Sequence, residues 1–336
     1  MKLPNSDFAT EVNDARCHSK LKYLQTRLSR VANSSNSSNS MNWNFHHPII
    51  VQGTTKLEYL PYISQMKVYG VDVVAGVSIG YQKTDTEEIP IFDLVENAIR
   101  EIGFIGTSII CVPYDRVLDA SLEAIASGIK QLIIATPDIP PLDTVKLLKA
   151  AENNDVLLLG PGSSGIIALD RYCLGTMQPQ HFKAGNVGLI GYGETLLYEV
   201  AWALNEADLG QSIVVSLGKD KMICSHLSEW IAILEQDEAT KTIVLIQYAQ
   251  DIDPTALELL SRSISKPIIY YIVGSHTPQD RTLRKGADIL HHHLSNSIPA
   301  TSSYRQAIDI VEHSDTTIVN RPTEIAKAIN QILTKV

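Results

Sequence analysis

The stretch "PIIVQGTTKLEYLPYISQMKVYGVDVVAGV", Pro48–Val77, decides the fold. It opens with the apolar run Ile49–Val51 and closes with Val73–Val77, and the residues between are enough for a helix. The first run ends at Gly53 and the helical stretch stops at Gly70. Continuous runs of Val and Ile mark strands buried on both faces. A strand, a helix and a second strand within roughly thirty residues is the unit of a parallel sheet, with the helix as crossover.

The alternation continues on the C-terminal side. "TSIICVP", "QLIIAT" and "VLLLGPG" are three more strands. "PIFDLVENAIREIG", "RVLDASLEAIASGI" and "LDTVKLLKAAENN" are the helices between them, with Gly103 and Gly128 as C-terminal stops. His47–Gly162 therefore has the pattern of a Rossmann-like domain. A second series starts near Asn186. Its strands are "NVGLIG", "SIVVSLG", "TIVLIQY", "PIIYYIVG", "ADILHHH" and "TTIVN". Its helices are "ETLLYEVAWALNEA", "LSEWIAILEQ", "PTALELLSRSI" and "PTEIAKAINQILTKV". This is a second open α/β sheet of flavodoxin-like proportions. The linker "ALDRYCLGTMQPQHFKAG" between the two carries Pro179 and has no clean periodicity.

Residues 1–45 stand apart as a helical or disordered extension. Leu21, Leu24, Leu28 and Val31 fall on one helical face, ringed by Lys20, Lys22, Arg27 and Arg30. "NSSNSSNSMN" then has too little apolar surface to fold and reads as a tether. The helix is a surface appendage, a docking helix or an organellar presequence, the last weakened by Asp7, Glu11 and Asp14.

The 336 residues carry a net charge of −9, which argues against nucleic acid and anionic membranes as partners. The four cysteines, Cys17, Cys111, Cys173 and Cys224, lack CxxC spacing and read as reduced thiols of a cytoplasmic protein. No apolar stretch approaches the ~20 residues that span a bilayer, and no secretory signal opens the chain.

From Ile49 to Val336 the order of elements resembles the α subunit of succinyl-CoA synthetase (succinate–CoA ligase). The Pro48–Val77 stretch is similar to that family's opening CoA-binding segment. "IICVPYDRVLDASLEAIASGIKQLIIATPDIPPLD" resembles the segment around its Val-Pro and Thr-Glu-Gly-Ile-Pro motifs. "LLLGPGSSGII" resembles its Gly-Pro-Asn-x-x-Gly run, and "KAGNVGLIGYGETLLYE" the start of its second domain. The resemblance implies a Rossmann-like CoA-binding-type domain with linker over 46–183 and a flavodoxin-like ligase-type domain over 184–336. It implies CoA or a related nucleotide as cofactor. The partner it implies is a β-subunit-like chain, with a homo-oligomer as the alternative.

The residues that would touch the cofactor are Gly53, Thr54, Thr55, Lys56, Val77, Ser78, Lys83, Val112, Pro113, Thr136, Pro137 and Asp138. The family's glycine loop is altered, with Lys56 and Tyr59 replacing two glycines. Tyr81 replaces a lysine, and Lys83 stands two residues further on. Where the family has Thr-Glu-Gly, this chain has Thr136-Pro137-Asp138.

The family passes a phosphoryl group through a histidine, held by a carboxylate and cradled at a helix N-terminus. Here the histidine position is Lys285, the carboxylate position is Tyr248, and the cradle reads Gly191-Tyr192-Gly193-Glu194-Thr195. Glu194 is expected to fill the anion site itself, with Lys285 as its counter-charge. His276, at the end of a strand, is the reserve candidate for chemistry. His291 and His293 share a face on an extended chain, with His292 on the other. They read as a polar strand end, and no metal-ligand spacing accompanies them.

Two functions remain open. One is a binding protein without phosphohistidine-dependent ligase activity. The other is an acyl-CoA ligase subunit of altered chemistry.

Overall fold

The computed structural model describes residues 43–53, 60–80, 89–220, 222–225, 227–248, 264–273 and 316–333. Thr54, Thr55, Lys56, Lys83, His276, Lys285 and His291–His293 lie outside them, as do the expected helix "PTALELLSRSI" up to Ser263 and the expected strand "ADILHHH".

The first sheet contains β1 (Ile49–Gln52), β2 (Val73–Val77), β3 (Ile91–Phe92), β4 (Thr107–Ile110), β5 (Gln131–Ile134) and β6 (Leu157–Leu159). All pairs are parallel, in the order β3-β2-β1-β4-β5-β6. That is the doubly wound dinucleotide-binding order, in which the chain reverses direction between β1 and β4. The crossovers are α1 (Leu60–Val68), α2 (Val95–Ile102), α3 (Val117–Ala126) and α4 (Pro141–Asn153). In β1, Ile50 packs toward α2 and α3, while Ile49 and Val51 pack on the opposite face. Both faces are therefore apolar, as an uninterrupted Ile-Ile-Val run requires. Helix α4 starts on two prolines, Pro140 at the cap and Pro141 inside the first turn. Proline suits that place because the first turn leaves N–H groups unused.

The second sheet contains β7 (Gly165–Ala168), β8 (Tyr172–Gly175), β9 (Ala184–Tyr192), β10 (Gln211–Gly218), β11 (Thr242–Tyr248), β12 (Ile268–Val273) and β13 (Thr317–Val319). Its order is β13-β12-β11-β9-β10-β7-β8. The five strands β9–β13 are parallel and follow the flavodoxin order. β7 and β8 form an antiparallel hairpin added at the β10 edge. Among the described residues its helices are α5 (Thr195–Glu206), α6 (Leu227–Gln236) and α7 (Pro322–Leu333).

One buried cluster joins the sheets. It takes Ile49, Val51 and Ile109 from the first, Val215, Leu217 and Leu245 from the second, and Trp230 from α6. Trp43, inside the stretch assigned to the extension, is buried in the same cluster against Trp230, with ring centroids 5.2 Å apart. Phe45 stacks on Tyr172 at 3.8 Å.

Candidate functional site

The strand order of the first sheet reverses between β1 and β4, and in open α/β sheets ligands bind outside the carboxyl ends of the strands at such a point. Gly53 ends β1 with φ +92°, and a Cβ there would stand 2.8 Å from the carbonyl carbon of Cys111. Both the backbone angle and the close approach to the next strand exclude a side chain. The Gly53 N–H donates to Val77 O at 2.8 Å, which ties the end of β1 to the end of β2. The Thr136 hydroxyl donates to Val112 O at 2.6 Å and ties β5 to β4. Ser78 donates its N–H to Phe92 O, and Pro113 opens the short turn Tyr114–Arg116. Gly53, Val77, Ser78, Val112, Pro113, Thr136, Pro137 and Asp138 thus all lie where these strands end. Val77 is buried and Pro113 is exposed.

The turn after β5 is held from the other sheet. Asp138, with φ +61°, donates its N–H to Asp220 Oδ1 at 2.9 Å, and Ile139 donates to Asp220 Oδ2 at 3.1 Å. Aspartate is one of the few side chains that tolerates this left-handed geometry. Asp220 belongs to the loop after β10. That loop is locked to the turn after β6: Cys224 N–H donates to Gly160 O at 2.7 Å, Gly160 N–H to Ser225 Oγ at 2.8 Å, and Lys219 N–H to Pro161 O at 3.2 Å. Gly162, with φ +67°, is wedged between them: a Cβ would meet Lys219 Cγ at 2.7 Å and Pro137 Cβ at 3.1 Å. Burial pushes the Cys224 thiol up to about 12, and the nearby Asp220 carboxylate adds to the rise.

The second group of candidates lies around the β9–α5 turn. Glu194 is the cap residue of α5 rather than a member of its first turn, and its side chain makes no capping bond to its own helix. The Ser164 hydroxyl instead donates to the Glu194 carboxylate. Ser164 comes from the Gly160–Gly165 run, and its own N–H donates to Ser216 Oγ at 3.3 Å. Gly193 N–H donates to Gly218 O at 2.9 Å, fixing the turn to the end of β10. One turn along α5, burial raises the Tyr198 hydroxyl; the Gln178 N–H it accepts, at 3.0 Å, opposes the rise and the Glu194 charge adds to it. Tyr248 ends β11 and is partly exposed. The expected counter-charge, Lys285, lies outside the described residues. Among the described residues, no three His, Cys, Asp or Glu side chains gather where they could hold a metal ion.

Asp220 and Ser164 were missed by sequence reasoning. Asp220 carried a usable signal, an acid directly after a strand's terminal glycine in "SLGKD". Ser164 carried none, because its role rests on a contact with a residue thirty positions away.

Two α/β sheets joined by one buried cluster, the first in the dinucleotide-binding strand order, are an architecture common to nucleotide- and CoA-binding proteins. Residues 45–138 match the CoA binding domain family. The chain is 31% identical over 285 residues to succinate–CoA ligase [ADP-forming] subunit alpha 2 of Archaeoglobus fulgidus, covering 85% of this chain and 96% of that one. It is 28% identical over 288 residues to the corresponding alpha subunit of Aquifex aeolicus, covering 85% and 92%. This chain belongs to the succinate–CoA ligase α-subunit family.

Among solved structures it resembles ATP citrate lyase from Methanothrix soehngenii, in complex with citrate and coenzyme A, with TM-score 0.70 and 15% identity. It also resembles the dinucleotide-forming acetyl-coenzyme A synthetase 1 of Ca. Korarchaeum cryptofilum, with TM-score 0.60 and 17% identity. These likenesses cover 87% and 82% of this chain and 51% and 59% of those proteins, so it spans a little over half their length. They concern the fold alone. No helix among the described residues is long and apolar enough to cross a membrane.

Proposed function

We propose that this chain is a CoA-binding α-type subunit that does not work through a phosphohistidine. The observation that carries the reading is the Ser164–Glu194 contact. A carboxylate held at the head of α5 stands where the family resemblance puts a phosphate cradle, and like charge repels an incoming phosphate. Lys285 and Tyr248, at the family's histidine and carboxylate positions, support the same reading.

The strand-end residues fit a CoA-type ligand. Gly53 keeps the close strand approach, and Val77, Val112 and Thr136–Asp138 would line the site. Bound CoA would supply a thiol as acyl acceptor. The N–H groups of Asp138 and Ile139 are already taken by Asp220, and the Thr136 proton by Val112 O. This turn would therefore meet a ligand through its surface and its remaining acceptors, with the ligand's phosphates bound elsewhere. The protein partner in this reading is a β-subunit-like chain, with self-association as the other arrangement. The division into a CoA-type part over 46–183 and a ligase-type part over 184–336 belongs to the same proposal.

The test is incubation of the full chain with radiolabelled ATP, alone and with a β-type subunit, beside calorimetric titration with CoA. CoA binding without acid-labile phosphate on the chain supports the proposal. Acid-labile phosphate on histidine overturns it. The second reading, a ligase subunit of altered chemistry, is favoured by the close approach of Gly53 to the Cys111–Val112 backbone at the strand ends. Acyl-CoA formation without phosphohistidine would select it.

A further inference from the structure

The contact of Asp220 with the turn after β5 crosses from one sheet to the other. Its two carboxylate oxygens accept from two successive backbone N–H groups, Asp138 at 2.9 Å and Ile139 at 3.1 Å. The next two residues, Pro140 and Pro141, have no N–H, so these two amides are the last donors before α4 begins. Paired amides ahead of a helix favour an anion, and charge-assisted bonds of this kind are the stronger class. The other end of the same turn is fixed within the first sheet, by the Thr136 hydroxyl on Val112 O. The turn is thus set from both sides, and one side belongs to the second sheet.

We propose that Asp220 is a positioning residue: from the loop after β10 it sets the shape of the Thr136–Ile139 turn, and so makes ligand binding at the first sheet's strand ends depend on the second sheet. The inference rests on the CoA-binding reading above. Three features of the junction serve it. Ser225, Cys224 and Lys219 lock the Asp220 loop to the turn after β6. Gly162 sits between Lys219 and Pro137, so close that an added Cβ would meet both. Ser225 also donates to Leu217 O at 2.8 Å, which fixes the loop to the end of its own strand. The carboxylate is therefore presented from a loop whose described residues on either side of it, Lys219 and Cys224–Ser225, are hydrogen-bonded to the turn after β6.

The test compares three variants of the full chain, with CoA as the calorimetric probe. Asp220→Asn keeps the shape but loses the charge and one of the two acceptors, and about tenfold weaker CoA binding is expected. Asp220→Glu keeps the charge and should recover part of the affinity. Ser225→Ala breaks another bond of the same junction without touching the turn. It should lower the melting temperature at least as far as Asp220→Asn while leaving CoA affinity within twofold. Amide exchange gives a readout independent of CoA: Asp138 and Ile139 should exchange faster in Asp220→Asn, with Cys224 unchanged. Equal loss of affinity in Asp220→Asn and Ser225→Ala, or unchanged affinity in Asp220→Asn, overturns the proposal. If the unaltered chain gives no heat with CoA, the CoA reading falls, and exchange alone decides. Unchanged exchange at Asp138 and Ile139 then sinks the positioning role as well.

Discussion

Glu194 shows how one side chain redirects a site. At the head of a helix a carboxylate is stabilised by about 0.3–1 kcal/mol through the dipole. Here it is also fixed in place by Ser164, a residue of the β6–β7 turn. Ser164 donates and Glu194 accepts, so the carboxylate is held beside the head of α5 without capping its N–H groups. Replacing Glu194 by Ser removes the fixed charge and leaves the helix start open to an anion. Millimolar phosphate should then raise the melting temperature of Glu194→Ser and leave that of the unaltered chain unchanged, because only a ligand bound to the folded state shifts the midpoint. An equal rise in both proteins would show that Glu194 does not occupy the site. The identity of Glu194 was legible in the sequence, since glycines at both family serine positions, Gly191 and Gly193, followed by an acid are visible in a single chain. Its holder was not, because no local pattern links Ser164 to position 194.

At the scale of elements, the runs that read correctly are those buried on both faces. Ile49–Gln52, Thr107–Ile110 and Gln131–Ile134 are wholly buried, and their polar members are paired inside: Gln52 Nε2 donates to Ser108 Oγ at 3.0 Å, and the Gln131 side-chain amide donates to Thr107 Oγ1 at 2.8 Å. The hairpin β7–β8 escaped notice because its three-residue turn, Leu169–Arg171, holds no Asn-Gly pair. Asp170 takes the positive φ, +60°, that glycine usually supplies there. β3 was absorbed into the helix that follows it, being only Ile91–Phe92. Helix α6 ends in a way the sequence also concealed. Lys266, from the start of β12, donates its ammonium to Leu234 O and Asp237 O, each at 2.7 Å. A cation on the last carbonyls satisfies the helix end and complements its dipole. Lys266→Ala should therefore destabilise the chain by about 1 kcal/mol in urea unfolding, whereas Lys266→Arg should keep most of that. No change in Lys266→Ala would assign those carbonyls to solvent.

At the scale of the whole molecule, the two sheets share one buried cluster, so groups buried in either report on the same folded state. Several of these groups titrate only at high pH. Burial pushes the Cys173 thiol up to about 11, eased by the Gln65 amide, and it pushes Cys224 up to about 12. Burial also carries the Tyr172 and Tyr270 hydroxyls well above their ordinary range. The unfolded chain releases these protons first: the thiols near 9.0 and the phenols near 10.0. Above pH 9 the folded state therefore binds more protons than the unfolded one, and stability must fall as pH rises. Below that point the contribution is complete and the curve is flat with respect to these groups. Each thiol costs up to about 1.4 kcal/mol per pH unit within its window. Urea unfolding at pH 8.0, 9.5 and 10.5 should show a steepening loss, of roughly 1–2 kcal/mol per thiol by the last point. Cys173→Ala with Cys224→Ala should lower stability at pH 8.0 through the lost packing, yet flatten the decline between pH 8.0 and 9.5, where the phenols have barely begun to ionise. A profile equally steep in that double variant would place the alkaline sensitivity on other groups and leave the two thiols without a share in it.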